Sequence, residues 1–303
     1  MTAATGPRVS VVMIFLNSER YIAEAIESVL AQDLRDFELI MVDDGSTDGS
    51  TALTRGYAKQ YPDRCFYLEH PGHANRGMSA SRNAGVRLAR ASLLSFIDGD
   101  DVWPQSKLRE QLEILDAHPE IGMVAGAACY WRSWQGGEDE CVPGGHIQDQ
   151  PVPPGAATTA VYPLGAAQAP CMSIMIRREV LERVGASEDS FTGMYEDQAL
   201  LAKVYLETSV WFSSRRWLFY RQHDMSCMAE SERCGTYHVA RKRFLDWFET
   251  YLVQRAVSDP AIWVAIRKAQ FPYQHPCLAA VQARAAKLSH LLRRAVGKVR
   301  RAF

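Results

Sequence analysis

Three acidic side chains lie within four positions of one another in the stretch Ser95–Trp103, which reads SFIDGDDVW. Asp98, Asp100 and Asp101 follow a short apolar run, where a buried strand would end. Carboxylates this close raise one another's pKa unless a positive charge lies between them. A bound divalent cation is one interpretation, and a solvated polar turn, in which Asp and Gly are common, is the other.

A second acidic cluster, VDDGSTD, follows another apolar run at residues 42–48. In a doubly wound sheet, ligands bind beyond the carboxyl ends of the strands. Strands that lie close together would therefore turn both clusters toward one crevice. Mg²⁺ and Mn²⁺ prefer oxygen ligands, and a site with one or two carboxylates completes its coordination with substrate phosphates. The pattern favours a metal-bridged diphosphate as the ligand.

Other metal and phosphate sites fit the spacing less well. An EF-hand loop that begins at Asp44 would need a bidentate Glu at its twelfth position, where the chain has Arg55. A nucleophile turn of the haloacid-dehalogenase type could use Asp98 and Asp100, but it should end the first strand of its domain and not the fourth. The chain has no P-loop motif and no glycine-rich dinucleotide motif after its first apolar run. A nucleotide must therefore be held in another way.

The elements that position these acids alternate along the first 130 residues. Four apolar runs predict strands, at residues 9–16, 37–42, 64–70 and 92–97, and helical patterns separate them. A further helix is expected to have Pro104 in its first turn, with an inner face of Leu108, Leu112 and Leu115. Strand and helix alternation of this kind predicts an α/β fold with a mainly parallel sheet.

The pattern weakens after residue 131. Residues 132–168 are rich in Gly, Pro and Gln and show no period, which predicts a long functional or disordered loop. Trp131 and Trp134 at its start could offer an apolar face to a ligand or anchor the loop on the core. Beyond the loop, strands are predicted at 171–176 and 217–221, a helix at 196–207, and helical structure from 235 onward.

Composition excludes several functional classes. The chain has 303 residues, of which 47% are hydrophobic, and a net charge of -1, which argues against a nucleic-acid binder. Its seven cysteines form no CxxC pair, so neither a disulfide framework nor a thiolate zinc site is indicated. No apolar run reaches the roughly 20 residues of a membrane span, and the first residues lack a signal core. A reducing cytoplasm is the expected location.

Six stretches of the chain occur in a specific order: VSVVMIFLN, FELIMVDDGSTDGS, NRGMSASRNAGVRLA, SFIDGDDVW, YEDQALLAKVYL and YRQHDMS. Through them, residues 8–227 resemble glycosyltransferase family 2, whose members are inverting nucleotide-sugar transferases. The resemblance implies the GT-A fold, a Rossmann-like, mainly parallel mixed sheet flanked by helices, here with a C-terminal helical extension. It implies a GT-A domain at 1–227, with a nucleotide-sugar-binding half at 8–130 and an acceptor and catalytic half at 131–227, and a helical region at 228–303.

The resemblance also implies roles for individual residues. Asp197 matches the catalytic base, which takes the proton of an acceptor hydroxyl, and Asp100 and His223 match metal ligands. Asp101 extends the metal motif, and Asn83 is expected to cap a helix. The residues expected around the nucleotide sugar are Phe15, Asn17, Asp43, Asp44, Arg82, Asp98 and Gly99.

Two departures from the family pattern refine the expectation. Leu16 lies where relatives commonly carry an aromatic residue that stacks on the base, so either Phe15 substitutes for it or the affinity for the base is weaker. Ser213, in SSRRW, lies where processive synthases carry Gln, which favours transfer of a single sugar.

The expected activity is metal-dependent, inverting transfer of one sugar from a nucleotide diphosphate sugar to a glycan, lipid-linked or small-molecule acceptor. Its cofactor would be Mn²⁺ or Mg²⁺, and its role would be polysaccharide biosynthesis at the cell envelope. Two alternatives remain open. One is a nucleotidyl or phosphoryl-transfer enzyme that uses the same acids, and the other is a non-catalytic module that binds nucleotide sugars or glycans.

The end of the chain is basic and amphipathic. Residues 281–303 contain seven Lys and Arg residues and no acid, with apolar residues at helical spacing. Such a helix could lie on an anionic membrane surface, where a lipid-linked acceptor resides, or dock on its own chain. Peripheral contact with the inner face of the membrane is therefore an alternative to a purely cytoplasmic location. The basic residues are Arg284, Lys287, Arg293, Arg294, Lys298, Arg300 and Arg301.

Overall fold

The computed structural model describes residues 6–145, 147–279 and 281. The chain divides into two compact units, residues 1–240 and residues 241–303. The first unit contains a nine-stranded mixed sheet with helices, and the described part of the second unit is helical. The basic stretch 281–303 lies outside the described residues except for its first position. Among the helices that are described, none combines the length and the apolar character needed to cross a bilayer.

The strands of the sheet alternate with helices through the first half of the chain. They are β1 (Val9–Phe15), β2 (Phe37–Asp43), β3 (Cys65–Glu69), β4 (Leu93–Asp98), β5 (Ile121–Trp131), β6 (Glu140–Val142), β7 (Pro151–Val152), β8 (Met175–Arg177) and β9 (Ser209–Arg221). The helices are α1 (Ile22–Leu30), α2 (Ser50–Gln60), α3 (Met78–Leu88), α4 (Lys107–Ala117), α5 (Ala156–Ala160), α6 (Arg178–Val184), α7 (Glu196–Glu207), α8 (Cys227–Arg233), α9 (Tyr237–Gln254) and α10 (Pro260–Gln274).

The sheet has the order β3-β2-β1-β4-β8-β5-β9-β7, and β6 pairs with β5 at the side. The pairs β1–β2, β1–β4, β2–β3 and β5–β9 are parallel, whereas the pairs that involve β6, β7 and β8 are antiparallel. Every residue of β1 and β2 is buried, which is why their sequences are continuous apolar runs. Alternate residues of β1 enter two separate apolar clusters, one on each face of the sheet.

The four strands predicted in the first 100 residues are confirmed to within two residues at each end. The predicted helix at 196–207 coincides with α7. The region 132–168 contains the short elements β6, β7 and α5. The strand predicted at 171–176 is only the three residues of β8, and the one predicted at 217–221 is the end of the longer β9.

The prediction that Pro104 lies in the first turn of a helix is wrong, because α4 begins at Lys107. The intervening segment is held by other elements. Val102 forms a two-way backbone bridge with Phe219 of β9, and the Pro104 carbonyl accepts a hydrogen bond from the Gln32 side chain. These contacts are made by residues that precede the helix, which therefore begins only at Lys107. The expected inner face of α4, Leu108, Leu112 and Leu115, is buried.

Candidate active site

The carboxyl ends of β1, β2 and β4 meet at one edge of the sheet. β1 lies between the other two strands, with Phe15 opposite Asp43 on one side and Ile14 opposite Asp98 on the other. The two acidic clusters therefore flank the end of β1 at the same edge of the sheet. The geometry follows from parallel pairing, which places strand ends of the same sense together.

Asp43 is fully buried and shapes the turn that follows β2. Its Oδ1 accepts hydrogen bonds from the amides of Gly45 and Ser46, at 3.1 and 2.8 Å. Its Oδ2 accepts from the hydroxyls of Thr51 and Tyr67, at 2.5 and 3.2 Å. Because both carboxylate oxygens accept hydrogen bonds from the chain itself, Asp43 stabilises the conformation of this loop.

Asp44 ties the same loop to the start of α3. Its Oδ1 accepts from the Arg76 amide at 2.7 Å, and its Oδ2 accepts from the Gly77 amide at 3.0 Å. The His70 ring nitrogen lies 3.6 Å from Oδ1. Gly45 has a φ of +88°, and a Cβ there would lie 2.8 Å from the Asn75 amide nitrogen, so the close approach of the two loops requires glycine.

Residues at the end of β1 reinforce the turn. The Asn17 amide oxygen accepts from the Thr47 amide at 2.7 Å. Phe15 is only 4% exposed, and a Cβ on Gly99 would lie 2.7 Å from the Phe15 Cβ. This burial disfavours the expected stacking of Phe15 on a base. Leu16, which is 44% exposed, presents the apolar surface at this edge.

Arg82 connects the β4 acids to the start of α7. Its guanidinium is 1% exposed and donates to Asp98 Oδ1 and to Glu196 Oε1, both at 2.6 Å. Arg82 thus contacts Asp98, another of the residues expected around the nucleotide sugar. Arg82 lies on α3, Asp98 ends β4 and Glu196 opens α7, so one side chain links three elements.

Asn83, the neighbour of Arg82, does not cap a helix, and that prediction is wrong. It lies in the middle of α3, which begins five residues earlier at Met78. Its side-chain amide donates to the Ser187 carbonyl and to Asp189 Oδ1, each at 2.8 Å, and accepts from the Ser187 amide at 3.0 Å. It therefore fastens the segment that leads into α7.

Glu196 and Asp197 open α7, where the helix dipole favours acids. Burial raises the pKa of Glu196 to about 8; the Arg82 charge opposes this rise, and Asp197 and Asp98 add to it. Burial also raises the pKa of Asp197, opposed first by its hydrogen bond from the Gln198 amide. The sequence did not identify Glu196 as a site residue, although its position directly before Asp197 in YEDQ was a signal.

Asp98 has a raised pKa as well. Burial is the largest cause; the Arg82 charge opposes it, and Asp100 and Asp197 add to it. Its side chain is 34% exposed. Asp98 is one of the residues that line a cavity beside the start of α7.

Asp100 and His223 lie together at the rim of the site, with Asp100 Oδ2 and His223 Nε2 2.9 Å apart. One carboxylate and one imidazole fit a divalent cation that takes its remaining ligands from phosphates and water. Among the residues that the structure describes, no group of three or more His, Cys, Asp or Glu could hold a metal ion by itself. The site therefore suits a cation that arrives with a phosphorylated ligand.

The buried side chain of Arg221 supports the Asp100 backbone. It is 3% exposed, its Nε donates to the Asp100 carbonyl at 2.7 Å, and its amide donates to Asp101 Oδ1 at 3.0 Å. Three aromatic rings surround its guanidinium, with Cζ 4.4 Å from the centre of Trp131, 5.0 Å from Trp134 and 5.0 Å from Tyr21. We call these three rings the aromatic cage. Both tryptophans are thus anchors, the second of the two interpretations of their sequence positions.

A cavity of about 350 Å³ lies between the Asp98 side and the start of α7. Arg82, Asp98, Asp101, Glu196 and Asp197 line it together with methionines. Five tyrosines complete the wall: Tyr130, Tyr162, Tyr195, Tyr220 and Tyr237. The Tyr162 hydroxyl hydrogen-bonds to those of Tyr195 and Tyr237.

The arrangement separates two kinds of chemistry. A desolvated carboxylate, Asp197, can accept a proton from a hydroxyl in the cavity. The Asp100 and His223 pair can hold a cation against an anionic leaving group. A ligand that reaches from Asp197 to the Asp100 and His223 pair would have its electrophilic carbon between a base and a leaving group whose charge the cation stabilises.

Comparison with known proteins gives a consistent picture. Residues 10–185, more than half of the chain, match the family model described as "Glycosyl transferase family 2". The uncharacterized glycosyltransferase alr2836 of Nostoc sp. is 36% identical over 117 residues, which are 39% of this chain and 35% of that protein. The minor teichoic acid biosynthesis protein GgaB of Bacillus subtilis is 35% identical over 119 residues, 38% of this chain and 13% of that protein. The chain thus spans well under two thirds of these relatives.

Solved structures share the fold across most of the chain. S. aureus TarS 1-349 in complex with UDP-GlcNAc has a TM-score of 0.64 at 18% identity, covering 88% of this chain and 73% of that one. The mannosyltransferase PcManGT from Pyrobaculum calidifontis, in complex with GDP-Man and Mn²⁺, has a TM-score of 0.61 at 20% identity, covering 99% of this chain and 82% of that one. The predicted GT-A fold, with its mixed sheet and helical C-terminal region, is confirmed.

Proposed function

This chain belongs to glycosyl transferase family 2, and from that membership and its site we propose a metal-dependent, inverting transfer of one sugar. The donor is a nucleotide diphosphate sugar, and the acceptor is a hydroxyl of a glycan, a lipid-linked sugar or a small molecule. Donor binding is assigned to residues 8–130, and acceptor binding and catalysis to residues 131–227. Residues 228–303 form the helical region that follows.

The observation that carries this proposal is the shared cavity of Asp98 and Asp197, which Arg82 and Glu196 join through two 2.6 Å ion pairs. A sugar between these acids would have the nucleotide on the Asp98 side and the acceptor on the Asp197 side. Asp43 and Asp44 would support donor binding by fixing the loops around them. Asn17 and Gly99 would support it by shaping the same edge of the sheet.

The proposed reaction is a single displacement. The acceptor hydroxyl attacks the anomeric carbon while the bond from that carbon to the diphosphate oxygen breaks. Asp197 takes the hydroxyl proton, and its raised pKa makes it a stronger base than an exposed aspartate. Attack from the face opposite the diphosphate inverts the anomeric centre, and no protein carboxylate bonds to the sugar.

Asp100 and His223 would hold Mn²⁺ or Mg²⁺, which, when bound, neutralises the charge that develops on the leaving diphosphate. Arg221 keeps the Asp100 backbone in place for this role. Two structural relatives support this assignment, since TarS is in complex with UDP-GlcNAc and PcManGT is in complex with GDP-Man and Mn²⁺. The similarity to GgaB, a minor teichoic acid biosynthesis protein, supports a cell-envelope polymer as the product.

The proposal is tested by thermal denaturation with UDP, GDP and their sugars, each with and without Mn²⁺. A ligand that binds the folded state raises its stability, by about 2.7 kcal/mol at 100 times the Kd. We expect one nucleoside diphosphate to raise Tm strongly with Mn²⁺ and weakly without it, and Asp100→Asn to abolish the difference. Glu113→Gln, an exposed substitution on α4, is the control.

Two results would contradict the proposal. The first is no stabilisation by any nucleoside diphosphate or nucleotide sugar. The second is turnover of a nucleoside triphosphate in place of a nucleotide sugar, which would favour nucleotidyl or phosphoryl transfer.

A further inference from the structure

Two loops of the proposed donor half are in direct contact. Residues 44–49 follow β2, and residues 70–77 follow β3. A Cβ on Gly45 would lie 2.9 Å from the His73 carbonyl oxygen, so the two backbones approach closely. The hydrogen bonds from the Arg76 and Gly77 amides to Asp44 join the same two loops.

The imidazole of His73 bridges this contact. Its Nε2 lies 2.7 Å from the Ser46 carbonyl oxygen, and its Nδ1 lies 3.0 Å from Glu69 Oε2. A backbone carbonyl can only accept hydrogen bonds, and so can an ionised carboxylate. A neutral imidazole has one N–H, whereas the imidazolium has two. The imidazolium is therefore the form that can donate to both partners.

Glu69 is held as a carboxylate. Its Oε2 also accepts hydrogen bonds from the Tyr67 hydroxyl at 2.6 Å and from Arg55 at 2.9 Å. The hydrogen bond from Tyr67 is the largest cause of a lowered pKa at Glu69, and His73 and Arg55 lower it further. At neutral pH, Glu69 thus remains an acceptor for the His73 ring.

The surroundings of His73 favour its protonated form. The hydrogen bond to the Ser46 carbonyl is the largest cause of a raised pKa at His73; burial opposes the rise, and the one to Glu69 and the charges of Asp43 and Glu69 add to it. The other titratable side chains at this contact between the loops are Asp44, Arg55, Tyr67 and His70.

The backbone of His73 points to the same constraint. Its φ is +53°, in the left-handed region that residues other than glycine seldom adopt. Such a conformation persists where surrounding contacts fix it. The two hydrogen bonds of the ring are contacts of this kind, because they tie His73 to the end of β3 and to the loop that follows β2.

We propose that His73, as an imidazolium, is a positioning residue of the donor site, which holds residues 44–49 against residues 70–77, so that donor binding weakens when the ring loses its proton. The inference rests on the proposed function, because it concerns the loops that Asp43 and Asp44 fix for the donor. Once the ring is neutral, one of its two acceptor partners faces a nitrogen lone pair, and that contact becomes repulsive.

The first test compares the affinities of two proteins as the pH changes. UDP and GDP are titrated calorimetrically with saturating Mg²⁺ into the unaltered protein and into His73→Gln, which cannot become a cation. For the nucleotide that binds, we expect His73→Gln to bind at least about fivefold more weakly at about pH 6 and within about twofold at about pH 8.5. The ratio removes the ionisation of the nucleotide itself, which affects both proteins alike.

His118→Gln is the matched control. His118 Nδ1 lies 3.2 Å from Glu120 Oε1, and its side chain is 35% exposed, as is that of His73. It follows α4, and its ring contacts Trp211 of β9. Its affinity ratio to the unaltered protein should stay near one at every pH.

A second test uses the unaltered protein. If the imidazolium form binds the nucleotide more tightly, bound nucleotide must raise the pKa of His73, because coupling between two binding events is reciprocal. NMR titration of the His73 ring, with and without saturating nucleotide and Mg²⁺, measures this rise.

The outcomes separate the two proposals. If UDP or GDP binds but leaves the pKa of His73 unchanged, or if the affinity ratio of His73→Gln does not depend on pH, the role of His73 is wrong and the proposed function stands. If neither nucleotide binds at any pH in this range, the proposed function fails and this inference falls with it.

Discussion

The Arg82 guanidinium is buried between two carboxylates that belong to different elements, Asp98 and Glu196. Breaking a buried ion pair by removing one partner is costly because the other charge stays buried and unpaired. Arg82→Gln would leave Asp98 and Glu196 without the cation that both contact. Arg109 offers a contrast on α4, since it also pairs with two acids but its side chain is 44% exposed.

We expect Arg82→Gln to lower the free energy of unfolding by about 3–5 kcal/mol. Urea denaturation at neutral pH measures the change. Arg109→Gln should be much less destabilising, because exposed pairs contribute little. Equal losses in the two variants would show that burial of the Arg82 pair is unimportant.

The raised pKa of Glu196 predicts that folding stability depends on pH. Its pKa rises from 4.5 to about 8 in the folded protein, so between these values the folded state holds a proton that the unfolded state releases. Its contribution to stability is complete below about pH 4.5 and is lost as the pH rises through about 8, on the order of a few kcal/mol in all.

Glu196→Gln should therefore flatten the decline of stability with rising pH across that window. Chemical denaturation at a series of pH values provides the measurement, and Glu113→Gln should retain the slope of the unaltered protein. A slope that is unchanged in Glu196→Gln would show that Glu196 ionises normally.

At the scale of elements, the aromatic cage connects α1, β5 and the following turn to the end of β9 through Arg221. Arg221 contacts the Asp100 backbone and so positions the proposed metal ligand, without itself being proposed to bind the metal. Partners behind a metal ligand commonly contribute 10-fold to 100-fold to metal affinity. Lysine can keep the charge but cannot reproduce the planar contacts of the guanidinium.

Arg221→Lys should weaken Mn²⁺ binding in the presence of nucleoside diphosphate by at least about tenfold. Metal-free nucleotide binding should be unchanged, and so should the thermal unfolding temperature within a few degrees. Electron paramagnetic resonance of free Mn²⁺ gives the affinity. Equal losses of metal-dependent and metal-independent binding would instead indicate general unfolding of the site.

The longer elements could be predicted because their signals are local. β1 and β2 are continuous apolar runs, and α7 is a long helix, so sequence alone located them. β7 and β8 have two and three residues and are defined by pairing with distant strands, which no local period records.

The residues of the candidate site also differ in whether they could be predicted from the sequence. Asp98, Asp100 and Asp197 could be found from their motifs. The ion pair between Arg82 and Glu196 joins positions 114 residues apart, so its existence and the raised pKa that accompanies burial depend on the tertiary structure. Burial of Phe15 could not be predicted for the same reason, because it involves close packing between the end of β1 and Gly99, the residue that follows β4.

At the scale of the whole molecule, the basic residues of 281–303 give a prediction from sequence. If they contact anionic lipid, deleting them should release the protein from vesicles that contain phosphatidylglycerol, because each basic residue near such a surface adds about 1 kcal/mol of binding. Flotation of the full chain and the shortened chain compares the two. Equal flotation, or flotation of neither, would contradict membrane contact through this segment.

We propose that the protein binds a nucleotide sugar beside Asp100 and His223 and places an acceptor hydroxyl next to Asp197. The most direct measurement is Mn²⁺-dependent release of nucleoside diphosphate from the sugar nucleotide that binds, in the unaltered protein and in Asp197→Asn. We predict turnover in the first, and in the second donor affinity within about threefold but turnover reduced at least about 100-fold, because the base is lost while the donor contacts remain. Undiminished turnover in Asp197→Asn would contradict the account.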